Sequence, residues 1–251
     1  MHGTRYHPQP SRLSQSFSPD SAASAHYKKT IFMTNQPTLF IHQLRQLVYL
    51  IIMVLSVVLL WHMSDIYKSA LIVEHAAVEN TQAIIILMTA ISFGLHAWNN
   101  SAHRSLLLLL ASLALAAFIR EHDAYLEATI PYVSWYFCWL FPIAAIINII
   151  RTRHNFGKSL TAFLQTNGYH MMVTAVIIII PVAQLLGHRS FLQDLINDPD
   201  TDTYMLRRVL EEPIELLGYI QLLLASVELY IEHRLLERRN RQQAEVSEPV
   251  S

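Results

Sequence analysis

Carboxylate and histidine side chains are concentrated near the ends of the apolar stretches of this sequence. Glutamate and histidine side chains that face inward from neighbouring helices are the ligands with which helical bundles hold pairs of iron or manganese ions. Their positions therefore predict a site for a divalent metal or for another cationic ligand. The candidate ligands are Glu79, Glu121, Asp123, Glu212, Glu215, His75 and His122.

The spacing of these residues places several of them on shared helix faces. His75, Glu79 and Gln82 are separated by four and three residues, which puts them on one side of a helix. Arg120 and Asp123 repeat that spacing at the end of a later apolar stretch. The chain has no Glu-x-x-His pair at the expected places, so the identity of a cofactor stays open.

An ion-pair network is the alternative interpretation of the same residues. Arg120 would pair with Asp123 or Glu79, and Arg207 or Arg208 would pair with Glu211 or Glu212. Such pairing would neutralise much of the acidic charge. The residues expected to support these pairs are Arg120, Gln82, Gln184 and Arg208.

Six apolar stretches must position these side chains. The chain has 251 residues, of which 53% are hydrophobic and 15% charged, against about 25% charged in a typical soluble domain. About 20 apolar residues are needed to cross a bilayer as a helix. The sequence therefore predicts an all-α, polytopic membrane bundle. Its six predicted spans are Leu47–Met63, Ala77–Trp98, Leu106–Ile119, Tyr132–Ile150, Met171–Gly187 and Ile214–Ile231, the third continuing through Arg120–Glu127.

The distribution of basic residues predicts the orientation. With six spans, 13 Lys and Arg residues fall on the side of the termini and five on the other side. Because cytoplasmic loops are enriched in basic residues, both termini are expected in the cytoplasm, with the chain in a bacterial inner membrane. Residues 1–40 are predicted to be a disordered tail, with Met33 as an alternative start, residues 41–232 the membrane domain, and residues 233–251 a basic and polar tail.

Two further polar residues lie within the predicted spans. Glu228 is about 20 Å along its helix from Glu215 and is either a proton-relay carboxylate or a residue that reaches a polar neighbour. Ser92 and His96 form a Ser-x-x-x-His pair, which resembles one element of the alkaline-ceramidase-like membrane hydrolases. Those enzymes hold zinc with several histidines, but their His-x-x-x-His on a later helix is absent here. The chain is therefore not assigned to that family.

Composition also limits the partners. A single cysteine, Cys138, excludes an intrachain disulfide and a thiolate metal cluster. The basic residues next to the membrane fit anionic lipid headgroups in the bilayer better than nucleic acid. Two classes of function stay open: a membrane enzyme or metal-binding protein, and a transporter, sensor or assembly component whose acidic residues form an ion-pair network or a relay for protons or cations.

Overall fold

The protein is described here from a computed structural model that covers residues 41–60, 62, 77–122, 135–188 and 203–247. Within these ranges the chain is helical, with short turns between the helices. The seven helices are α1 (Ile41–Leu60), α2 (Ala77–Asn99), α3 (Arg104–Glu121), α4 (Leu140–Arg151, preceded by a 3₁₀ turn at Trp135–Trp139), α5 (Arg153–Leu164), α6 (Asn167–Leu186) and α7 (Thr203–Ser247). By compactness the chain divides into residues 1–50 and 51–251, and helices α2 to α7 all belong to the second unit.

Four of the helices are long and apolar enough to cross a membrane: α1, α2, α6 and most of α7. This confirms the all-helical fold and the multi-span character in the coarse sense, with four helices rather than six meeting the criteria of length and composition. The third and fourth predicted spans fall in α3, which has 18 residues, and in α4, which has 12. At 1.5 Å per residue α3 is about 27 Å long, slightly less than the hydrocarbon core of a bilayer.

Several helix boundaries differ from the predictions. Among the described residues α3 ends at Glu121, where His122 leaves helical geometry and donates its N–H to the carbonyl oxygen of Ile119. The predicted continuation of this span through Glu127 lies outside the described residues. Helix α5 was not predicted, and α7 continues to Ser247 through most of the predicted tail. The predicted tail at residues 1–40 lies outside the described residues.

Side-chain contacts define how the long helices run. Gln82 of α2 contacts Glu212 of α7, and Ser92 lies 3.0 Å from Ser226, Oγ to Oγ. Contacts therefore advance along both helices together, which makes α2 and α7 parallel. Helix α6 runs in the opposite direction, since its last turn lies beside the first part of α7 and its first turn beside residue 232. As a result the beginnings of α2 and α7 and the ends of α3 and α6 gather at one end of the bundle.

The opposite end holds the main apolar core, to which α5 contributes. Buried side chains from α2, α3, α5 and α7 form it: Phe93, Ala97, Leu106, Leu107, Phe163 and Leu229. Ser159 of α5 donates to the carbonyl oxygen of Ala102 at 2.8 Å, which fixes α5 against the turn between α2 and α3. Close van der Waals packing among these side chains holds the four helices together at this end.

Helix α6 is interrupted by a proline before it reaches the end of the bundle where α2 and α7 begin. Pro181 has no N–H for the bond to the preceding turn, and residues Ile178–Val182 form a π-helical segment around it. The helix then resumes for one turn, Ala183–Leu186, which positions Gln184 and Gly187 beside α7.

Candidate functional site

Acidic residues from three helices meet where α2 and α7 begin and α3 ends. Hydrogen bonds and ion pairs connect them with two arginines, two glutamines and a tyrosine. We name this group the carboxylate cluster: Glu79, Gln82, Glu121, Gln184, Arg207, Arg208, Glu211, Glu212, Glu215 and Tyr219.

Arg208 joins α7 to α2 within the cluster. Its guanidinium Nη2 contacts Oε1 of Glu79 and lies 3.5 Å from Oε1 of Glu212. Only 12% of the Arg208 side chain is exposed, so this charge depends on its carboxylate partners rather than on solvent. One arginine therefore balances carboxylates from two helices.

Gln82 is the most deeply buried polar residue of the cluster. Its Nε2 donates to the backbone oxygen of Glu212 at 2.9 Å and to the carboxylate Oε2 of the same residue at 3.1 Å. The side chain is fully buried, and its Oε1 has no hydrogen-bond partner among the described residues. A buried amide oxygen without a hydrogen-bond donor destabilises the folded state. This position is therefore suited to a ligand that is positively charged or donates a hydrogen bond.

The last turn of α6 completes the cluster on another side. Gln184 Nε2 donates to Oε1 of Glu211 at 3.4 Å and to Oε1 of Glu215 at 3.3 Å. Arg207 donates through Nε to Glu211 Oε2 at 2.9 Å. A Cβ atom on Gly187 would overlap the Glu211 carboxylate, so the absence of a side chain there provides the space in which Glu211 lies.

Helix α3 contributes through its last residue. The Tyr219 hydroxyl of α7 donates to Glu121 Oε1 at 3.0 Å. Glu215 lies within electrostatic range of Glu121 and also of Arg120. The end of α3 is thus joined to the acidic face of α7 by a neutral donor.

The structure does not bring all the sequence-predicted residues into the cluster. Arg120 is exposed, and no ion pair links it to another described residue. Of its two predicted partners, Glu79 pairs with Arg208 instead, and Asp123 lies outside the described residues. His122 stacks on Phe118 with 5.0 Å between ring centroids and leaves its Nδ1 buried without a hydrogen-bond partner. His75 and Asp123 lie outside the described residues. Glu228 is fully buried on α7 but belongs to the opposite half of that helix.

The sequence analysis missed two features of this site, the hydroxyl group of Tyr219 and the absence of a side chain at Gly187. Tyr219 follows Glu215 by one helical turn, so its spacing alone could have placed it on the same face. The role of Gly187 had no sequence signal, because it depends on how closely α6 approaches α7.

The arrangement is an ion-pair network rather than a preformed metal centre. In the part of the chain that the structure describes, no three His, Cys, Asp or Glu side chains are grouped so that they could hold a metal ion. Glu211 and Glu212 each have an arginine partner, as the ion-pair alternative predicted.

Fold and site together define a helical protein with four candidate membrane-spanning helices and a buried network of glutamate and arginine side chains. Comparison with models of protein families, with curated proteins and with solved structures finds no match to this chain.

Proposed function

We propose that this protein is a multi-pass membrane protein that binds a cation in the carboxylate cluster and functions in transport or sensing. The observation that carries the proposal is the unpartnered oxygen of Gln82, fully buried among carboxylates that outnumber the arginines beside them. Among the described residues, the five glutamates of the cluster lie near two arginines, Arg207 and Arg208, which form ion pairs with three of them, and Arg207 is 47% exposed. In the part of the chain that the structure describes, the cluster therefore contains more carboxylates than guanidinium groups.

Burial of unpaired carboxylates raises the free energy of the folded state. A carboxylate transferred from water into a bundle is stable only when it is paired, hydrogen-bonded or protonated. Carboxylate and amide oxygens are hard ligands, which prefer cations such as Mg²⁺, Ca²⁺, Mn²⁺ or H⁺ to softer metals. A small hard cation bound near Gln82 Oε1 and Glu212 would satisfy the amide oxygen and reduce the repulsion among the glutamates.

A purely structural network is the second candidate, and the arginine contacts favour it. Arg208 lies between Glu79 and Glu212 and already satisfies part of the cluster. In that case the cluster would hold α2, α3, α6 and α7 together without a ligand. The two candidates predict different responses to added cations.

The cation prediction is tested on the full chain in detergent or nanodiscs. Saturation with the preferred cation should raise the thermal midpoint by about 5–10 °C, since a ligand at about 100 times its dissociation constant stabilises by about 2.7 kcal/mol. Thermal unfolding with Na⁺, Mg²⁺, Ca²⁺ and Mn²⁺ measures this shift, with calorimetry to give stoichiometry. Glu212→Gln should abolish the response while the protein still folds, because it removes the charge of a proposed ligand without removing volume.

Glu245→Gln is the matched control, because Glu245 is an exposed glutamate near the far end of α7. This variant should keep the full response. Absence of a shift with every cation, or equal loss of the shift in the control, would leave the structural network as the function of the cluster.

We further propose six crossings with both termini in the cytoplasm. The basic residues described in the structure support this orientation, because most belong to the end opposite the carboxylate cluster. They are Arg104, Arg151, Arg153, Lys158, Arg234, Arg238, Arg239 and Arg241. Cytoplasmic enrichment of Lys and Arg then places the carboxylate cluster on the outer side, and the basic end beside anionic lipid headgroups.

Reporter fusions check the topology directly. A fusion after Ser251 should report the cytoplasm, and one inserted between Asp194 and Asp202 should report the opposite side. Reports from the same side at both positions would contradict six crossings and would place the cluster elsewhere.

A further inference from the structure

Three histidine side chains meet at the end of the bundle opposite the carboxylate cluster. Nε2 of His96 on α2 lies 2.8 Å from Nδ1 of His233 on α7, so the two rings share a hydrogen bond. His103, from the turn between α2 and α3, stacks on His233 with 4.7 Å between ring centroids and 7° between planes. His96 and His233 are buried, with 2% and 7% of their surface exposed. We name these three residues the histidine cluster.

The hydrogen-bonding capacity of the cluster is only partly used. A neutral imidazole has one donor and one acceptor nitrogen. Whichever ring donates in the His96–His233 bond, Nδ1 of His96 is buried and has no partner among the described residues, and the same holds for Nδ1 of His103. When His96 donates through Nε2, its Nδ1 is a bare basic nitrogen inside the protein.

The geometry favours a proton over a metal ion as the ligand. His103 lies parallel over His233, so the three rings do not direct nitrogens to one point, and the described residues contain no group of three that could hold a metal. Metal ligation needs such convergence at about 2.0–2.1 Å per nitrogen. A proton needs only one unoccupied nitrogen.

Charged and titratable groups surround the cluster on each element packed against it. These are Arg104 on α3, Tyr169 on α6, and Glu228, Tyr230, Glu232, Arg234 and Glu237 on α7. Ser159 of α5 is uncharged and bonds to the backbone of the turn that carries His103.

Two of the nearby acids, Glu232 and Glu237, contact other groups. Glu232 accepts from the backbone N–H groups of Asn167 and Gly168 at the start of α6, and Glu237 lies 3.7 Å from Arg234. Arg104 donates to the carbonyl oxygens of Ala97 and Trp98 at the end of α2. An added positive charge in the cluster would therefore be near two guanidinium groups.

We propose that the histidine cluster is a proton-binding site, and that uptake of a proton separates the turn between α2 and α3 from α7. An imidazolium at His96 or His103 would repel Arg104 and Arg234 and would be costly inside the packed interface. Movement of the turn toward solvent hydrates the charge and removes the stacking on His233. This inference is independent of cation binding at the other end of the bundle.

Stability should fall in acid if this is correct. Burial lowers the pKa of His103 below its ordinary value of 6.5. Below that ordinary value the unfolded chain binds more protons than the folded one, so stability is complete above about pH 6.5 and is lost as pH falls. The thermal midpoint of the full chain should drop by about 5 °C between pH 7.5 and 5.5.

Buried histidines alone would explain a loss of stability in acid, but they would not explain a separation of the α2–α3 turn from α7. That separation is therefore the specific test of the proposal. Spin labels at the exposed positions Ser101 and Leu236, in a Cys138→Ser background, report the distance between the turn and α7 by pulsed electron resonance. We expect this distance to lengthen by several ångströms from pH 8 to pH 5. The change should disappear in His96→Gln.

His103→Gln provides a second variant in the turn, where misfolding is less of a risk than at the buried His96. The control is His170→Gln, an exposed histidine on α6, which should leave both the distance change and the thermal shift intact. A wild-type distance that does not change with pH, or a change that survives both cluster variants, would overturn the proposal.

Discussion

Replacing Arg208 with methionine should lower the free energy of unfolding by about 3–5 kcal/mol, the cost of removing one partner from a buried ion pair. The guanidinium is 12% exposed and contacts Glu79 on α2 as well as Glu212 on its own helix. Methionine fills much of the same volume, so the loss reports the two carboxylates left without their cation. Reversible unfolding of the full chain in mixed detergent micelles measures it.

Arg207→Met is the matched control, because it removes the same group one residue earlier. Arg207 is 47% exposed and forms an ion pair with Glu211, one turn along its own helix. An exposed pair of this kind contributes about 0.5 kcal/mol. Similar losses in the two variants would show that Arg208 does not join α2 to α7.

The Arg208 variant also separates the two candidate functions. Without Arg208 the cluster is more negative, so a cation-binding site should bind a divalent cation more tightly, and that cation should recover part of the lost stability. In a purely structural network only a compensating change such as Glu79→Gln should recover it. Unfolding of the Arg208→Met protein with added cation, and of the Arg208→Met/Glu79→Gln protein without it, gives the comparison in the same micelles.

The sequence allowed the location of the carboxylate cluster to be predicted, because alternating helices bring every second helix end to the same surface. It did not allow the cation beside Glu79 to be chosen correctly. Arg120 and Arg208 lie near the same end, and the choice between them depends on where α3 stops and how α7 is rotated about its axis. Those features follow from tertiary packing, which no local pattern records.

The histidine cluster could not be predicted from the sequence, for a related reason. His96 and His233 are 137 residues apart, and the sequence assigned them to different parts of the protein, His96 to a membrane span and His233 to the C-terminal tail. Only the parallel pairing of α2 with α7 brings them together. Helix α5 was missed because its apolar side is short and lies within a basic segment, whereas in the structure Phe163 joins the core.

The approach of α6 to α7 depends on Gly168, and Gly168→Ala should lower the free energy of unfolding by about 1–3 kcal/mol through overpacking. A Cβ atom there would lie 2.9 Å from Leu229 Cβ, 3.0 Å from Leu229 N and 3.1 Å from Ala225 O. Two of these atoms belong to the backbone, so the helices must move apart to accommodate the methyl group. Small residues commonly allow such close packing between membrane helices.

Gly157→Ala on α5 should instead raise the free energy of unfolding. Nothing lies within 4 Å of the Cβ it would add, and alanine in a helix is more favourable than glycine by about 0.5–1 kcal/mol. Unfolding of both variants in the same micelles gives the comparison. Because Gly168 also donates its backbone N–H to Glu232 Oε2 at 3.3 Å, forcing α6 outward should expose this bond to hydrogen exchange. Equal stability of the two alanine variants would mean that α6 and α7 are farther apart than these contacts require.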